Sequence, residues 1–230
     1  MRYSYLLFDA DNTLLDFDAG ERQAFQYVLC RQGYSFTQEY YELYHRINAH
    51  LWHQFDQALL PSKEFLLVER FRMFLAETKL TGNPEAMNQD MLSALGRTAI
   101  PLPGAQELCR ELSQRHDLFI ITNAVESVQR RRFASSPLAP YFKEVFISET
   151  VGYGKPRLEF FEYIMANVPG MTTENTLVIG DSLSSDIQGA NNAFLPCCWF
   201  NPQGLPRPKD LRIDYEVRTL SEILPIADQE

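Results

Sequence analysis

The chain has 230 residues, of which 45% are hydrophobic and 22% are charged, and its formal net charge is −9. A chain of this length and composition buries a full hydrophobic core and has room for one domain with a sizeable insertion. The negative charge argues against a nucleic-acid polymer as partner, because its phosphates would be repelled, but a bound cation would still let a site take a small anionic substrate.

The first predicted strand covers about residues 3–8 and ends at two carboxylates, Asp9 and Asp11. Residues 17–98 then show a helical pattern that is rich in aromatic residues. Capping residues mark four helices in this segment: Gly33 after the first, Thr37 before the second, Ser62 before the third and Asn83 before the fourth. Short connections between four helices predict an all-helical bundle.

The rest of the chain alternates between short apolar runs and helical segments. The apolar runs that predict strands are "DLFIITN", "EVFISE", "NTLVIGD", "PCCWF" and "DYEV". The helical segments include "ESVQRRRFA", "RLEFFEYIMANV", "SSDIQGANNA" and a C-terminal "TLSEILPIA". Such alternation predicts a mostly parallel sheet that is covered by helices on both faces. The predicted organisation is an α/β core of residues 1–16 and 99–230, interrupted by an all-helical insertion of residues 17–98.

No apolar run approaches the length of about 18 to 20 residues that a membrane span requires, and the run before Asp9 is too short for a secretory signal. The four cysteines show no paired metal-binding spacing and are interpreted as small core residues: Cys30, Cys109, Cys197 and Cys198. We therefore expect a cytoplasmic protein without a membrane partner.

Polar residues follow several predicted strands at the point where each strand ends. They are Asp9 and Asp11, Thr122 and Asn123, and Asp181, Ser182 and Asp186, with Lys155 in a loop before a helix. Ligands bind beyond the carboxyl ends of strands in open α/β sheets, so these side chains are expected to form one site. Each motif alone has a structural explanation. The paired aspartates can be a chance match, the residues after the later strands can be helix caps, and the lysine can be a solvated loop residue. The presence of all four motifs in this order favours a functional site.

Carboxylates that face one crevice repel each other, and each pair at ~4 Å costs about 4 kcal/mol at an effective dielectric of ~20. A divalent cation or a lysine offsets this repulsion, and oxygen ligands with open positions favour Mg²⁺. Thr122 and Asn123 can hold phosphate oxygens together with backbone amides at the following helix start. One carboxylate can then attack phosphorus, while a second protonates the leaving oxygen and later activates water.

Four motifs resemble those of the haloacid-dehalogenase-like (HAD) phosphohydrolase superfamily: "DADNT" at 9–13, "ITN" at 121–123, "GKP" at 154–156 and "GDSLSSD" at 180–186. The resemblance implies a Rossmann-like parallel sheet, an inserted helical cap and Mg²⁺ as cofactor. The segments "LLFDADNTLLDFD" and "ISETVGYGKP" are similar to the pyrimidine 5′-nucleotidase group, which acts on deoxyuridine and related monophosphates. This implies a nucleoside 5′-monophosphate as the substrate.

The resemblance also implies roles for the four aspartates. Asp9 is the nucleophile and a Mg²⁺ ligand. Asp11 is the general acid and base, with its backbone carbonyl on the metal, and Asp181 is the third protein ligand. Asp186 is expected to orient Lys155 or a water at the metal rather than to bind the metal directly.

By the same resemblance, Thr122 and Asn123 bind the transferring phosphoryl group, and Lys155 neutralises that group and the nucleophile. Ala124 departs from the pattern, since a glycine often follows the second motif in the superfamily. This change is expected to affect the shape of the loop and to leave the phosphate contact intact.

Several reaction types share this scaffold. Asp11 favours phosphoryl transfer, because the dehalogenase branch has no alkoxide to protonate and lacks this second aspartate. A phosphonatase would need a Schiff-base lysine in the cap, whereas Lys63 and Lys79 are interpreted as solvated helix positions. A sugar-phosphate phosphatase or phosphomutase shares all the site residues and stays open. A non-catalytic protein that binds a phosphorylated metabolite is a further alternative, against which the intact set of site residues argues.

The cap carries many aromatic and histidine side chains, most of which helical spacing assigns to the bundle core. They include Tyr40, Tyr41, Tyr44, Trp52, Phe55, Phe65, His45, His50 and His53. One that faces the cleft would stack on a nucleobase. Phe17 and Asp18 follow the first motif and are expected near the entrance of the site, whereas His45 and His53 are not predicted as metal ligands because their spacing does not suit one.

Overall fold

The computed structural model describes residues 2–229 and shows two compact units. One unit consists of the residues up to Phe17 and from Ala99 onward, and the other of Asp18–Thr98. Among the described residues, no helix has both the length and the apolar composition to cross a membrane.

Within residues 2–229, six strands form one sheet in the first unit, and every pairing between them is parallel. They are β1 (Tyr5–Phe8), β2 (Asp117–Thr122), β3 (Phe142–Ile147), β4 (Thr176–Gly180), β5 (Cys197–Phe200) and β6 (Tyr215–Val217). Their order across the sheet is β3-β2-β1-β4-β5-β6, which places β1 between β2 and β4. This is the strand order of a doubly wound Rossmann-type sheet, and the predicted fold class is confirmed.

The central strand β1 is buried on both faces of the sheet. Leu6 and Phe8 belong to a hydrophobic cluster on one face, together with Ile120. Leu7 belongs to a second cluster with Val178 on the other face. Because helices cover both faces, the strand is a continuous apolar run instead of an alternation of apolar and polar residues.

The helices of the first unit lie between these strands, except for the last one, which follows β6. They are α5 (Ala105–Leu112), α6 (Glu126–Ser135), α7 (Ser148–Val151), α8 (Leu158–Asn167), α9 (Gln188–Asn192) and α10 (Ile223–Ala227), numbered after the four helices of the insertion. Two predicted helices begin irregularly. A π-helical turn precedes α9, because the N–H of Ile187 donates to the carbonyl of Ser182, five residues earlier. A 3₁₀ turn precedes α10, where Pro225 has no N–H to continue an α-helical ladder.

The strand β1 is shorter than the predicted range of residues 3–8. The backbone N–H groups of Ser4 and Tyr5 both donate to the carbonyl of Asn175, at 2.8 and 3.1 Å. Two donors that share one acceptor cannot belong to a regular ladder, so the strand begins at Tyr5.

Four helices lie in the second unit and at its boundary: α1 (Phe17–Arg31), α2 (Gln38–Asp56), α3 (Lys63–Thr78) and α4 (Pro84–Leu95). The predicted N-terminal caps are confirmed, since Thr37, Ser62 and Asn83 each accept a hydrogen bond from the backbone N–H three residues later. Gly33 has a φ of 80°, in the left-handed region that glycine adopts without strain, and it reverses the chain after α1.

Aromatic rings form the core of this second unit. The ring of Phe25 stacks on Tyr44 with 4.4 Å between centroids and meets Phe74 edge-on at 5.2 Å. Tyr41 and Tyr44 are buried, as helical spacing predicts for most of the aromatic set, whereas Phe65 is exposed.

The two lysines considered above differ in their surroundings. Lys79 is exposed at the end of α3, as expected for a solvated position. Lys63 is only 7% exposed, so the prediction that it is solvated is wrong. It occupies the first position of α3, directly after the Ser62 cap.

A chain of buried polar side chains links the helices of the second unit. Glu21 is 0% exposed, accepts from Asn48 Nδ2 at 2.7 Å and pairs with His45 Nδ1 at 2.7 Å. Arg70 donates to Asn48 Oδ1 at 3.1 Å and to Asn88 Oδ1 at 2.9 Å. Asn48 therefore connects the buried carboxylate to the buried guanidinium, and these hydrogen bonds offset the cost of removing both charges from water.

Candidate active site

Lys155 lies among polar and charged groups at the carboxyl ends of β1, β2 and β4. Its Nζ donates to Asp9 Oδ1 at 2.6 Å, to Asp186 Oδ1 at 2.6 Å and to the carbonyl of Ile121 at 2.9 Å. These acceptors use the three donors of the ammonium group. Burial acts to lower the pKa of Lys155, but the carboxylates of Asp186 and Asp9 outweigh it and raise the pKa above its ordinary value. The lysine is therefore charged throughout the neutral range.

Asp9 and Asp181 come together because β1 and β4 are neighbours. The backbone N–H of Asp9 donates to the carbonyl of Ile179 in β4 at 2.8 Å, which continues the pairing one residue beyond β1. Asp181 directly follows β4, and its Oδ1 accepts from Thr13 Oγ1 at 3.1 Å. The carbonyl of Asp181 accepts from Trp199 Nε1 at 2.9 Å, so both its side chain and its backbone are held.

Asp186 reaches the same cluster from the π-helical turn that precedes α9 and is 0% exposed. Its Oδ1 accepts from Lys155, and its Oδ2 accepts from the backbone N–H of Ser182 at 3.0 Å. A Cβ on Gly180 would lie 2.2 Å from Oδ2, so any side chain at position 180 would displace this carboxylate. Protein donors thus bind both oxygens of Asp186, which favours a role in orienting Lys155.

The second motif lies at the end of β2. Thr122 is 2% exposed, and its Oγ1 accepts from the backbone N–H of Ala124 at 3.1 Å. The side-chain amide of Asn123 accepts from the N–H of Lys155 at 2.9 Å and donates to its carbonyl at 2.7 Å. A Cβ on Gly154 would lie 2.7 Å from Asn123 Oδ1, so glycine permits this approach. Asn123 therefore positions the lysine loop, and its contact with phosphate stays a prediction.

The carboxylate of Asp11 is paired with Arg132 of α6, whose Nη1 donates to Asp11 Oδ1. The same Nη1 donates to Gln129 Oε1 at 3.0 Å. The guanidinium carbon of Arg132 lies 5.8 Å from the ring centroid of Phe17. The sequence did not reveal Arg132, because "QRRRF" offers three consecutive arginines and only the phase of the helix decides which one faces the site.

Two further contacts to the cluster were not predicted, one from the side chain of Thr13 and one from the backbone of Ser182. Thr13 is 0% exposed and lies two residues after Asp11 in the first motif, so the spacing "D-x-D-x-T" carried the signal. Ser182 contributes its backbone N–H to Asp186. No side-chain pattern can reveal a backbone donor.

The charges of this cluster suit a divalent cation. Oxygen atoms of Asp9, Asp181 and Asp186 all lie within 4.8 Å of one another. When all four carboxylates of the site are ionised, the two cationic side chains Lys155 and Arg132 leave an excess of two negative charges among these groups. Buried carboxylate oxygens with excess negative charge are the ligands that Mg²⁺ prefers, so the residues fit this ion.

The pKa values of the two aspartates that follow β1 and β4 agree with this conclusion. Burial raises the pKa of Asp181 to about 7, and the charge of Asp186 adds to the effect. Burial also raises the pKa of Asp9 well above its usual range, although Lys155 opposes the shift. A cation among these carboxylates would act in the opposite direction and favour their ionised forms.

Known proteins resemble this chain along its whole length. Residues 6–200 match the family described as haloacid dehalogenase-like hydrolase. The HAD-hydrolase YfnB of Bacillus subtilis (strain 168) is 36% identical over 229 residues, which cover 100% of this chain and 97% of YfnB. The pyrimidine 5′-nucleotidase PynA of Streptococcus pneumoniae (strain ATCC BAA-255 / R6) is 36% identical over 230 residues, with coverage of 100% and 97%.

The fold agrees with a solved structure of the first of these relatives. The crystal structure of YfnB bound to magnesium has a TM-score of 0.95 at 35% identity, and each chain is covered completely. The match to the family extends over every motif residue from Asp9 to Asp186. The chain therefore belongs to the haloacid dehalogenase-like hydrolase family, as its four motifs predict, and it is an enzyme of that family.

Proposed function

We propose that this HAD-family phosphatase hydrolyses a pyrimidine nucleoside 5′-monophosphate, with Mg²⁺ as cofactor and an aspartyl phosphate formed on Asp9. The observation that carries the reaction is the bridge from Lys155 to Asp9 and Asp186 in a buried cluster with excess negative charge. The relative PynA is named a pyrimidine 5′-nucleotidase, which supports the substrate. The magnesium bound to YfnB supports the cofactor.

The metal ligands in this proposal are the carboxylates of Asp9 and Asp181 and the backbone carbonyl of Asp11. When bound, Mg²⁺ would neutralise the excess charge and withdraw electron density from the phosphoryl group. Asp186 holds Lys155 in place through Oδ1 and is itself fixed by Ser182 through Oδ2.

The reaction has two steps that use the two aspartates of the first motif. A carboxylate oxygen of Asp9 attacks phosphorus in line with the leaving group, and the new O–P bond forms as the old one breaks. Asp11 donates its proton to the leaving alkoxide. In the second step the ionised Asp11 takes a proton from water, which attacks phosphorus and releases phosphate and free Asp9.

The transferring phosphoryl group also needs groups that bind its other oxygens. The hydroxyl of Thr122 and the backbone at Asn123 lie at the end of β2, and α6 begins three residues later, at Glu126. Backbone N–H groups at such a helix start favour an anion. The ammonium group of Lys155 offsets the negative charge shared by Asp9 and the phosphoryl group.

The domain roles and the location are parts of the same proposal. Every motif residue falls in residues 1–16 and 99–230, which we assign as the catalytic core, and residues 17–98 are assigned as the inserted cap. The four cysteines lie among the described residues, and each is a free thiol. Free thiols support a cytoplasmic location, where a small phosphate monoester is the partner.

A screen for phosphate release tests the reaction and the substrate. We expect UMP and dUMP to give the highest kcat/KM in a panel with hexose phosphates, with activity lost in EDTA and restored by Mg²⁺. Asp9→Asn should abolish turnover without unfolding the protein. The matched control is Asp117→Asn. Asp117 is the first residue of β2, at the amino ends of the strands and away from the site, and its side chain is 47% exposed.

A different experimental result would contradict each part of the proposal. Full activity of Asp9→Asn would disprove the aspartyl-phosphate mechanism. Hexose phosphates far ahead of UMP and dUMP would overturn the nucleotide assignment, and isomerisation without phosphate release would identify a phosphomutase. Absence of phosphate release from every ester would favour a protein that binds a phosphorylated metabolite without catalysis.

A further inference from the structure

The ion pair between Arg132 and Asp11 joins α6 to the segment that follows β1. The side chain of Arg132 is 1% exposed and that of Asp11 is 23% exposed. Burial of a guanidinium is costly unless its charge is paired and its N–H groups are bonded. The contact with Asp11 supplies that pairing, so the positions of the two side chains depend on each other.

The surroundings of Arg132 fix its orientation. Gln129 lies three residues earlier on the same face of α6, is 0% exposed and accepts from Arg132 Nη1 at 3.0 Å. Its Nε2 has no hydrogen-bond partner in the part of the chain that the structure describes. The side-chain amide of Gln129 is thus oriented so that its oxygen binds the guanidinium, although this leaves its Nε2 without a partner among the described residues. The ring of Phe17 lies on another side of the guanidinium, with 5.8 Å between the ring centroid and the guanidinium carbon.

Asp11 is a residue whose position matters for chemistry. It lies between β1 and α1, outside any regular element, so the backbone alone does not fix its carboxylate. A misplacement of about 1 Å at a reacting group costs about 10²-fold in rate. A charge-assisted hydrogen bond from a guanidinium that is itself held on two sides gives the carboxylate one orientation.

We infer that Arg132 is a positioning residue for phosphoryl transfer that acts through Asp11, with Gln129 and Phe17 holding its guanidinium. The inference rests on the proposed function, in which Asp11 gives a proton to the leaving oxygen. Arg132 keeps its own protons throughout. Asp11 enters the first step in its acid form, in which one oxygen still accepts from Arg132, becomes the ionised partner of Arg132 when it gives up the proton, and regains a proton from water in the second step. An ion pair that only stabilised the fold would affect all substrates equally.

The test compares two leaving groups by their kcat/KM, measured on the full chain with Mg²⁺. For each substrate, kcat/KM reports on the steps up to and including the first irreversible one, which is the departure of the leaving group. UMP, or the best alkyl phosphate of the screen, releases an alkoxide that needs a proton. p-Nitrophenyl phosphate releases a stable phenolate that needs none. A residue that acts through Asp11 therefore affects the first substrate and spares the second.

For Arg132→Gln we expect kcat/KM to fall about 10- to 100-fold with the alkyl phosphate and less than about 3-fold with p-nitrophenyl phosphate. Arg132→Lys keeps a charged donor without the planar fork of arginine, so its loss with the alkyl phosphate should be smaller, about 3- to 10-fold, with p-nitrophenyl phosphate again spared. In an Asp11→Asn background, Arg132→Gln should cause no further loss. Arg131→Gln, at the exposed neighbouring position, is the matched control and should leave both substrates unchanged.

Three results would overturn the inference: equal losses with both substrates, a further loss in the Asp11→Asn background, or wild-type activity of Arg132→Gln with the alkyl phosphate. If thermal unfolding shows that Arg132→Gln does not fold, Arg132→Lys decides. A ratio of the two kcat/KM values shifted against the alkyl phosphate supports the inference, and an unchanged ratio overturns it. Failure of the proposed function is recognised separately, because the wild type would then release phosphate from neither substrate.

Discussion

Asn123 and Lys155 are joined by two hydrogen bonds, because the side-chain amide of Asn123 accepts from the N–H of Lys155 at 2.9 Å and donates to its carbonyl at 2.7 Å. Asn123 directly follows β2, and Lys155 lies in the loop before α8. The pair therefore ties the lysine loop to the sheet. The position of the ammonium group between Asp9 and Asp186 depends on this connection.

Asn123→Ala should lower the free energy of unfolding by about 1–3 kcal/mol, because both backbone groups of Lys155 lose their partner. It should also lower kcat, since the lysine loop is no longer held against β2. Urea unfolding and initial rates measure the two effects. Asn167→Ala is the matched control, because it removes an exposed bond to the carbonyl of Tyr163 and should change stability by less than about 0.5 kcal/mol. Equal stability of the two variants would contradict the prediction.

Mg²⁺ should raise the melting temperature of the wild type, since a ligand at 100 times its dissociation constant stabilises the folded state by about 2.7 kcal/mol. Asp181→Asn should lose this shift, because it removes a carboxylate ligand. Without Mg²⁺ at alkaline pH the same variant should be more stable than the wild type, because burial raises the pKa of Asp181 to about 7 and its ionised form is disfavoured in the folded state.

Thermal unfolding with and without Mg²⁺ measures both effects. Asp117→Asn is again the control, since its exposed side chain lies at the other end of β2. A full Mg²⁺-dependent shift in Asp181→Asn would show that the ion binds elsewhere.

The pH dependence of stability should contain a contribution from His45. Its hydrogen bond to Glu21 raises the pKa of His45 above the ordinary 6.5, although burial opposes the shift. The protonated form is thus favoured in the folded state. Its contribution to stability is complete below the unfolded pKa and is lost as pH rises through the raised value.

We therefore expect the free energy of unfolding to fall as pH rises above the ordinary pKa of 6.5 and through the raised value, and His45→Gln to remove part of this slope. Urea unfolding at a series of pH values gives the slopes for both proteins. His50→Gln, at an exposed position of α2, should keep the slope of the wild type. A slope in His45→Gln identical to that of the wild type would refute the assignment.

The fold was predictable from the sequence wherever the signal is local. Thr37, Ser62 and Asn83 cap their helices through a bond to an N–H only three residues away, so their roles follow from neighbouring residues. The apolar runs of β1 and β4 indicate burial on both faces. The start of β1 depends instead on the carbonyl of Asn175, which is far away in the chain and which local patterns do not contain.

The candidate site shows the same division. Parallel strands place their carboxyl ends at one edge of the sheet, so the sequence could predict that Asp9, Thr122 and Asp181 lie near one another. Arg132 could not be distinguished from the two arginines before it, because "ESVQRRRF" has no apolar periodicity that sets the phase of α6. The use of the Asn123 amide by the Lys155 backbone is a contact between loops, and no motif encodes it.

The place of β1 in the sheet bears on the order of events in folding. Tyr5 pairs with Asp117 on one side and with Thr176 on the other. Contacts between residues so distant in the chain form slowly, because closing long loops costs entropy. The helices α1–α4 instead arise from nearby residues. We therefore expect the insertion to acquire its structure early in refolding. The enzyme should become active only when β1 has paired with both β2 and β4.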